Sequence, residues 1–352
     1  MANYEFLAEN INVREDNFYY LPIVKMKLEN RGREVNNVKE IVKEKQFTSP
    51  FLQEHKNKAQ TFSGILKENE MEDYLRKLPN YSFILHYKIK LTTPYFSRDE
   101  EVFSIVSNPI LKDTAFKVPM IRGSSWKGAL RHSGLEIIKE CNDLEGVKSY
   151  LKSLLRIFGS GNDTFRAIFS GNFERGGNEI LRKVKLFLAL EVGINPKEEI
   201  TTAFYNYLKR EWRRANPHLF ISGKEAQKGR AIFYPTFFDK LSFEILNPHD
   251  RRTRAGTIPI NYEVVPKGTG GVLQIVYIPF DGILKPVREL EEEVRQDLEF
   301  LQMCVEKTAQ TGIGAKSKMW GRFEVVEKIE RVKKNNEILN SDQFLRVEGG
   351  TR

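Results

Sequence analysis

"VPMIRGSSWKGALRHSG", residues 118–134, runs from an apolar stretch through a tight polar turn into a helical pattern with a cation one turn in. Trp126, Ala129, Leu130, Ile137 and Ile138 recur at helical spacing, which predicts a helix to about Glu140, with Ser124 or Ser125 as its amino-terminal cap. Upstream, YSFILHYKIKLTT (81–93) alternates Phe83, Leu85, Tyr87, Ile89 and Leu91 with more polar neighbours, the two-residue period of a half-buried strand. The quoted turn therefore joins a first core strand to a helix.

Downstream, a second helix is predicted over 144–157, closed by Gly159 in a left-handed cap. GSGNDTFRAIFSGNFERGGN (159–178) reads as a long loop. Residues 201–214 have a helical pattern whose basic side carries Lys209, Arg210, Arg213 and Arg214. Strands follow near 230–237 and 241–246, then a hairpin with PKGTGG (266–271) as its turn before VLQIVYIPF (272–280). Helix 285–308 has Pro286 near its first turn and Val287, Leu290, Val294, Leu298, Leu301 and Val305 at steps of three and four. It ends in TGIGAKSKMWGRFEVVEKI (311–329), a glycine-rich loop feeding a strand. Strand, helix, strands, helix, strand is the order of an α+β, ferredoxin-like (RRM-like) sandwich with long insertions. We divide the chain into an N-terminal extension (1–78), a core (79–330) with an insertion at about 160–230, and a C-terminal tail (331–352). The extension is Lys/Glu-rich from Glu29 and broken by Pro50 and Pro79, so it is expected partly to pack and partly to wrap.

With 352 residues, 40% of them apolar, the chain can bury a sizeable core and is not of disordered composition. Its 56 Lys and Arg against 47 Asp and Glu leave a formal charge of +9, which suits a polyanionic partner. Cys141 and Cys304 lie too far apart for metal-ligand spacing or a disulfide framework, so a reducing compartment fits, and no metal or cofactor is expected. MANYEFLAENINVRED lacks a signal-peptide profile, and no stretch approaches the roughly 18 apolar residues of a membrane span. A cytoplasmic location without membrane contact is the expectation.

Two loops carry candidate chemistry. In the first, Gly123 permits close backbone approach, the open amides and dipole of the helix start favour an anion, and Lys127 and Arg131, four residues apart, project from one face. Together with Arg122, Ser124 and Ser125 they make a phosphate seat. The second loop has Gly312, Gly314 and Gly321 with Lys316, Lys318 and Arg322, and Trp320 is placed either to stack on a base or to pack under the loop. It lacks the ending of a Walker loop, and its charge, small residues and flat ring suit a nucleic-acid backbone. Each loop taken singly is equally an ordinary turn with solvated cations.

The pair is more specific than either half, and with it the sequence resembles the RAMP superfamily of CRISPR-associated proteins. The matching pieces are NPILKD (108–113), VPMIRGSSWKGALR (118–131), RIFGS (156–160) and TGIGAKSKMWGRF (311–323). The resemblance implies a ferredoxin-like RAMP core that grips CRISPR RNA as a subunit of a type III effector complex, beside other effector subunits and target RNA. Subunits that line the guide in that family cleave target RNA with an Asp just before the Asn-Pro pair, and here that position is Ser107. A hydroxyl cannot replace a carboxylate in metal binding or charge stabilisation, so the chain is expected to bind rather than cut. The long N-terminal extension also departs from the repeated backbone subunits and favours a terminal or specialised one.

The remaining catalytic candidates are Asp99, in the acidic run 99–101, and His249, which is followed by Asp250, Arg251, Arg252 and Arg254. An imidazole beside arginines suits RNA binding or metal-independent cleavage. That leaves a second reading open, a metal-independent endoribonuclease processing CRISPR transcripts, with His249 or His132 as its base.

Overall fold

The alternation at 81–93 builds strand β2 (Phe83–Leu91), the centre of a five-stranded sheet. The computed structural model describes residues 47–48, 50–99, 108–160, 227–246, 260–315 and 319–346. The predicted loop beyond residue 160, the helix at 201–214, Ser107, His249, Lys316 and Lys318 lie outside the described residues.

The quoted stretch forms the two-residue strand β3 (Met120–Ile121) and helix α3 (Gly123–Glu140). Helix α4 (Leu144–Phe158) follows, capped by the Asp143 carboxylate, which accepts from the Gly146 amide at 2.8 Å, and closed by Gly159 at φ +83°. Strands β6 (Ala231–Phe233) and β10 (Gly270–Tyr277), helix α5 (Val287–Thr311) and strand β11 (Phe323–Lys334) complete the core. The sheet order is β11-β2-β10-β6, every neighbouring pair antiparallel, with β12 (Glu337–Asn340) added outside β11. Numbered within the β2-α3-β6-β10-α5-β11 sequence, that order is four-one-three-two, the ferredoxin-like βαββαβ arrangement. The expected fold class is thus the observed one.

Strand alternation decides which layer covers which face. Phe83, Leu85, Tyr87, Ile89 and Leu91 join the main core with Trp126 and Leu130 of α3 and Leu298, Phe300 and Leu301 of α5. On the opposite face Ile84, Val276 and Ile329 pack against Met71 and Leu75 of α2 (Glu68–Arg76). Helix α1 (Pro50–Phe62) uses Leu52 and Ala59 to pack on Val118 and on Phe237 of β7 (Thr236–Phe237).

Four expectations change. The turn at 266–271 closes no hairpin: β9 (Ile260–Val264) pairs with β8 (Lys240–Leu246), which also pairs with β1 (Phe47–Thr48), while β10 pairs with β2 and β6. The turn is instead held to the end of β2, the Gly268 amide donating to the Leu91 carbonyl at 2.7 Å and the Leu91 amide to Thr269 at 3.0 Å. The N-cap of α3 is Arg122, without a capping side chain, and Ser124 and Ser125 fall inside the first turn. The sheet carries past residue 330, where a tail was placed, because β12 pairs with β11 through Arg331↔Asn340 to Lys334↔Glu337. Residues 227–230 belong to the core rather than to the insertion: β5 (Gln227–Lys228) pairs with β4 (Gly159–Ser160), and the Arg230 amide donates to the Arg156 carbonyl at 2.8 Å.

Candidate nucleic-acid interface

The antiparallel packing of α3 and α5 brings the amino end of one helix and the carboxyl end of the other to the same end of the sheet, beside Leu91. Trp126 of α3 stands edge-on to Phe323, the first residue of β11, with ring centroids 5.5 Å apart, and donates its indole N–H to Thr236 Oγ1 at 2.9 Å. Tyr95 links the two loops. Its buried hydroxyl donates to the Met120 carbonyl at 3.3 Å, ahead of the first loop, and its ring lies beneath Gly314 of the second. Burial raises the Tyr95 pKa, against the opposing influences of a hydrogen bond with Ser97 and then the charge of Arg122, so this phenol stays neutral.

Two of the three cations of the first loop face water. Arg122 and Lys127 are exposed and Arg131 half-buried; Ser124 is exposed and Ser125 half-buried. Partial desolvation, and then the charge of Arg131, push the Lys127 pKa below its ordinary value, as expected for two cations on one helical face. An anion placed between them would relieve that repulsion.

The glycines do a different job from the one their sequence context suggested. A Cβ on Gly123 would sit 2.2 Å from the Phe233 carbonyl oxygen of β6, so the missing side chain serves the protein's own backbone. In the second loop a Cβ on Gly321, at φ +75°, would lie 1.8 Å from the Ile313 carbonyl oxygen, and Gly312 and Gly314 are similarly closed by Trp320 and Phe96. These contacts fold the loop back on itself: the Ile313 amide donates to Gly321 at 3.0 Å, Gly321 to Pro94 at 2.7 Å and Ala315 to Phe96 at 3.1 Å.

Trp320 packs under the loop, 9% exposed, edge-on to Phe96 and Tyr262 at centroid distances of 6.3 and 5.7 Å. That answers the choice between stacking on a base and supporting the loop. Arg322 is half-buried, and its backbone ties the loop to the end of β2, its amide donating to Thr93 Oγ1 at 2.9 Å and its carbonyl accepting from Thr92 at 2.8 Å.

Among the described residues the structure does not bring the catalytic candidates Asp99 and His132 together. Asp99 is half-buried and accepts from the Lys112 amide at 3.3 Å. His132 lies in the third turn of α3 rather than at its start, and is exposed. His86 is buried on the other face of the sheet, where desolvation lowers its pKa. Among the described residues no group of three or more His, Cys, Asp and Glu side chains could hold a metal ion.

Two structural supports escaped sequence reasoning. Glu263, 2% exposed, clamps the NPILKD segment: it accepts from the Ile110 amide at 3.0 Å and from Lys112 Nζ at 2.7 and 2.8 Å. Arg156, in RIFGS, is not at the loops; its Nε and Nη2 donate to buried Asp297 of α5 at 2.5–3.0 Å. The position of Asp297, three residues after Val294 on the apolar face of α5, was the available signal.

Fold and loops together define a ferredoxin-like protein with a basic helix start and a braced glycine loop at one end of its sheet. The chain belongs to the RAMP superfamily, whose family model matches residues 88–324. Among solved structures it is similar to a chain of the Type III-B Cmr-beta complex bound to cognate target RNA, at 13% identity and a TM-score of 0.44, over 89% of this chain and 75% of that one. It is also similar to Cmr6 from Pyrococcus furiosus, at 19% identity and a TM-score of 0.30, over 69% of this chain and 98% of that one. No curated protein matches.

Proposed function

We propose that this chain is an RNA-binding subunit of a type III CRISPR ribonucleoprotein that holds guide RNA by its phosphate backbone and does not itself cut the target. The observation that carries the reading is the convergence of two loops in a RAMP superfamily member. The open first turn of α3, with Arg122, Lys127 and Arg131, and the loop of Gly312 to Arg322 are braced together through Tyr95. Helix-start amides and paired cations recognise phosphate without reading sequence, which is what holding many different guides requires. Trp320 and the glycines act as the rigid support for that surface, while Lys316 and Lys318 would add charge to it. Ser107, in place of the family's Asp, supports holding over cleavage.

Affinity for single-stranded RNA, measured by fluorescence anisotropy against salt, tests the reading. Each contacted phosphate contributes about 0.7 to the slope of log affinity against log salt. The double variant Lys127→Gln/Arg131→Gln is expected to lower the slope by about 1.4. A flat salt response of the unmodified protein would remove the proposal.

A further inference from the structure

We propose that a lysine-lined groove on the opposite face of the sheet is a second contact for single-stranded RNA, taking the strand as it turns round the Leu91 end. The inference rests on the RNA-holding role proposed above.

Helix α1 uses Leu52 and Ala59 to dock, which leaves Gln53, Lys56 and Asn57 facing a groove of about 410 Å³. The other wall is β2, where alternation sends Lys88 and Lys90 to the side away from α3 and α5. Lys90 lies opposite Gly270 in the register, so no side chain from β10 obstructs that end. All the ionisable residues lining the groove are lysines. Its volume falls in the range of about 300–1,000 Å³ typical of small-molecule pockets, enough for a nucleotide unit.

The three lysines are not equivalent. Lys56 pairs with Asp239 at 2.7 Å, the side chains only 12% and 16% exposed, so it is committed to the fold. Lys88 pairs with Glu327 at 2.7 Å, the side chains 54% and 43% exposed. Exposed pairs of that kind contribute at most about 1 kcal/mol, so a phosphate can take over the ammonium. Lys90 is exposed, with Glu324 opposite it in the register of β11. Asn57 and Gln53 add exposed amide donors and acceptors. The apolar lining side chains are Ile89, Val272 and Val326, the last 64% exposed, with no aromatic among the lining residues, so the groove suits a backbone contact rather than base stacking.

Two observations choose RNA over an acidic peptide. β2 is paired on both sides, and along the outer side of β10 the carbonyls of Gly270, Val272 and Gln274 already accept from Lys56 Nζ at 3.4 Å, Thr236 Oγ1 at 2.6 Å and the Tyr234 amide at 3.1 Å, which leaves little free edge for an added peptide strand. The groove is also continuous with the proposed phosphate surface. Its rim turn is bonded to Leu91 through Gly268 and Thr269, and the next residue, Thr92, donates to the Arg322 carbonyl at 2.8 Å. A strand leaving the glycine-rich loop therefore meets the groove across one end of β2.

The test uses the full chain and a labelled oligouridylate long enough to reach both surfaces. Lys88→Gln/Lys90→Gln is expected to lower the salt slope by about 1.4, with an unchanged melting temperature because both side chains are exposed. Lys88→Arg/Lys90→Arg should retain the slope. If Lys127→Gln/Arg131→Gln lowers the slope and Lys88→Gln/Lys90→Gln leaves it unchanged, the groove inference is overturned while the RNA-holding reading stands. If the unmodified protein gives a flat salt response, both fall. Binding of an acidic peptide at the groove, with the RNA slope unaltered by its lysines, also overturns the inference.

Discussion

Replacing Asp297 by Asn should destabilise the protein more than almost any other single isosteric change. The carboxylate is fully buried and accepts from Arg156 Nε and Nη2 and from the Tyr277 hydroxyl at 2.5 Å. Burial alone would lower the Arg156 pKa, and the charge and hydrogen bonds of Asp297, together with Glu293 and Tyr277, more than reverse this. Without that charge the guanidinium keeps the amide oxygen of the new side chain and Ser153 Oγ, at 3.1 Å, as neutral acceptors, with Glu293 the remaining acidic influence on it. Leaving one charge of a buried pair uncompensated costs about 3–5 kcal/mol. Total domain stabilities are only about 5–15 kcal/mol, so the loss is large.

Removing both charges in Arg156→Met/Asp297→Leu should cost far less than the sum of the single changes, a coupling of about 2 kcal/mol or more. Tyr277 would still accept from Arg230 Nη1 at 3.0 Å, and Arg230 would keep Asp281 at 2.6 Å. Urea unfolding followed by tryptophan fluorescence measures each variant, with the slope in denaturant required to stay constant. A loss below about 1 kcal/mol for Asp297→Asn, or a double variant as unstable as the summed singles, would refute the reasoning.

Gly321→Ala should lower the melting temperature and weaken RNA binding together, because its Cβ would collide with the Ile313 carbonyl at 1.8 Å and break the loop's brace. Gly128→Ala, with nothing within 4 Å of the added methyl, should instead stabilise α3 by about 0.5–1 kcal/mol, and equal melting temperatures for the two variants would contradict this contrast. The lowered Lys127 pKa means that its ammonium is lost earlier as pH rises toward the lysine range. RNA affinity of the unmodified protein should therefore decline on the alkaline side sooner than that of Lys127→Arg, and superimposable pH profiles would rule this out.

Much of the fold was legible because its elements have strong periods. The alternation from Phe83 to Leu91 and the three- and four-residue steps of α3 and α5 fix the layers, since each apolar face has to meet another. Pairing partners were not legible. The turn at 266–271 looks like a hairpin locally, yet its flanks belong to different sheets: Val264 pairs with Ser242 of β8 and Val265 bridges to Tyr95, while β10 is drawn between β2 and β6.

The candidate site divides in the same way. Cations at helical spacing, Lys127 and Arg131, can be read from the chain, whereas the reason for Gly123 lies in the Phe233 carbonyl, far away in sequence. Trp320 and Tyr95 likewise show their supporting roles only once Phe96, Tyr262 and Met120 are in place around them. Glu263 reads as one more polar residue of an exposed strand until Lys112 and the Ile110 amide close on its carboxylate.

The central claim is that this surface holds guide RNA. Its most direct test is to purify the tagged full-length protein from its native cells at moderate salt and sequence the RNA that accompanies it. Short RNAs sharing a repeat-derived end, together with other CRISPR effector subunits, are the predicted result. Recovery of the intact protein with neither would contradict the account.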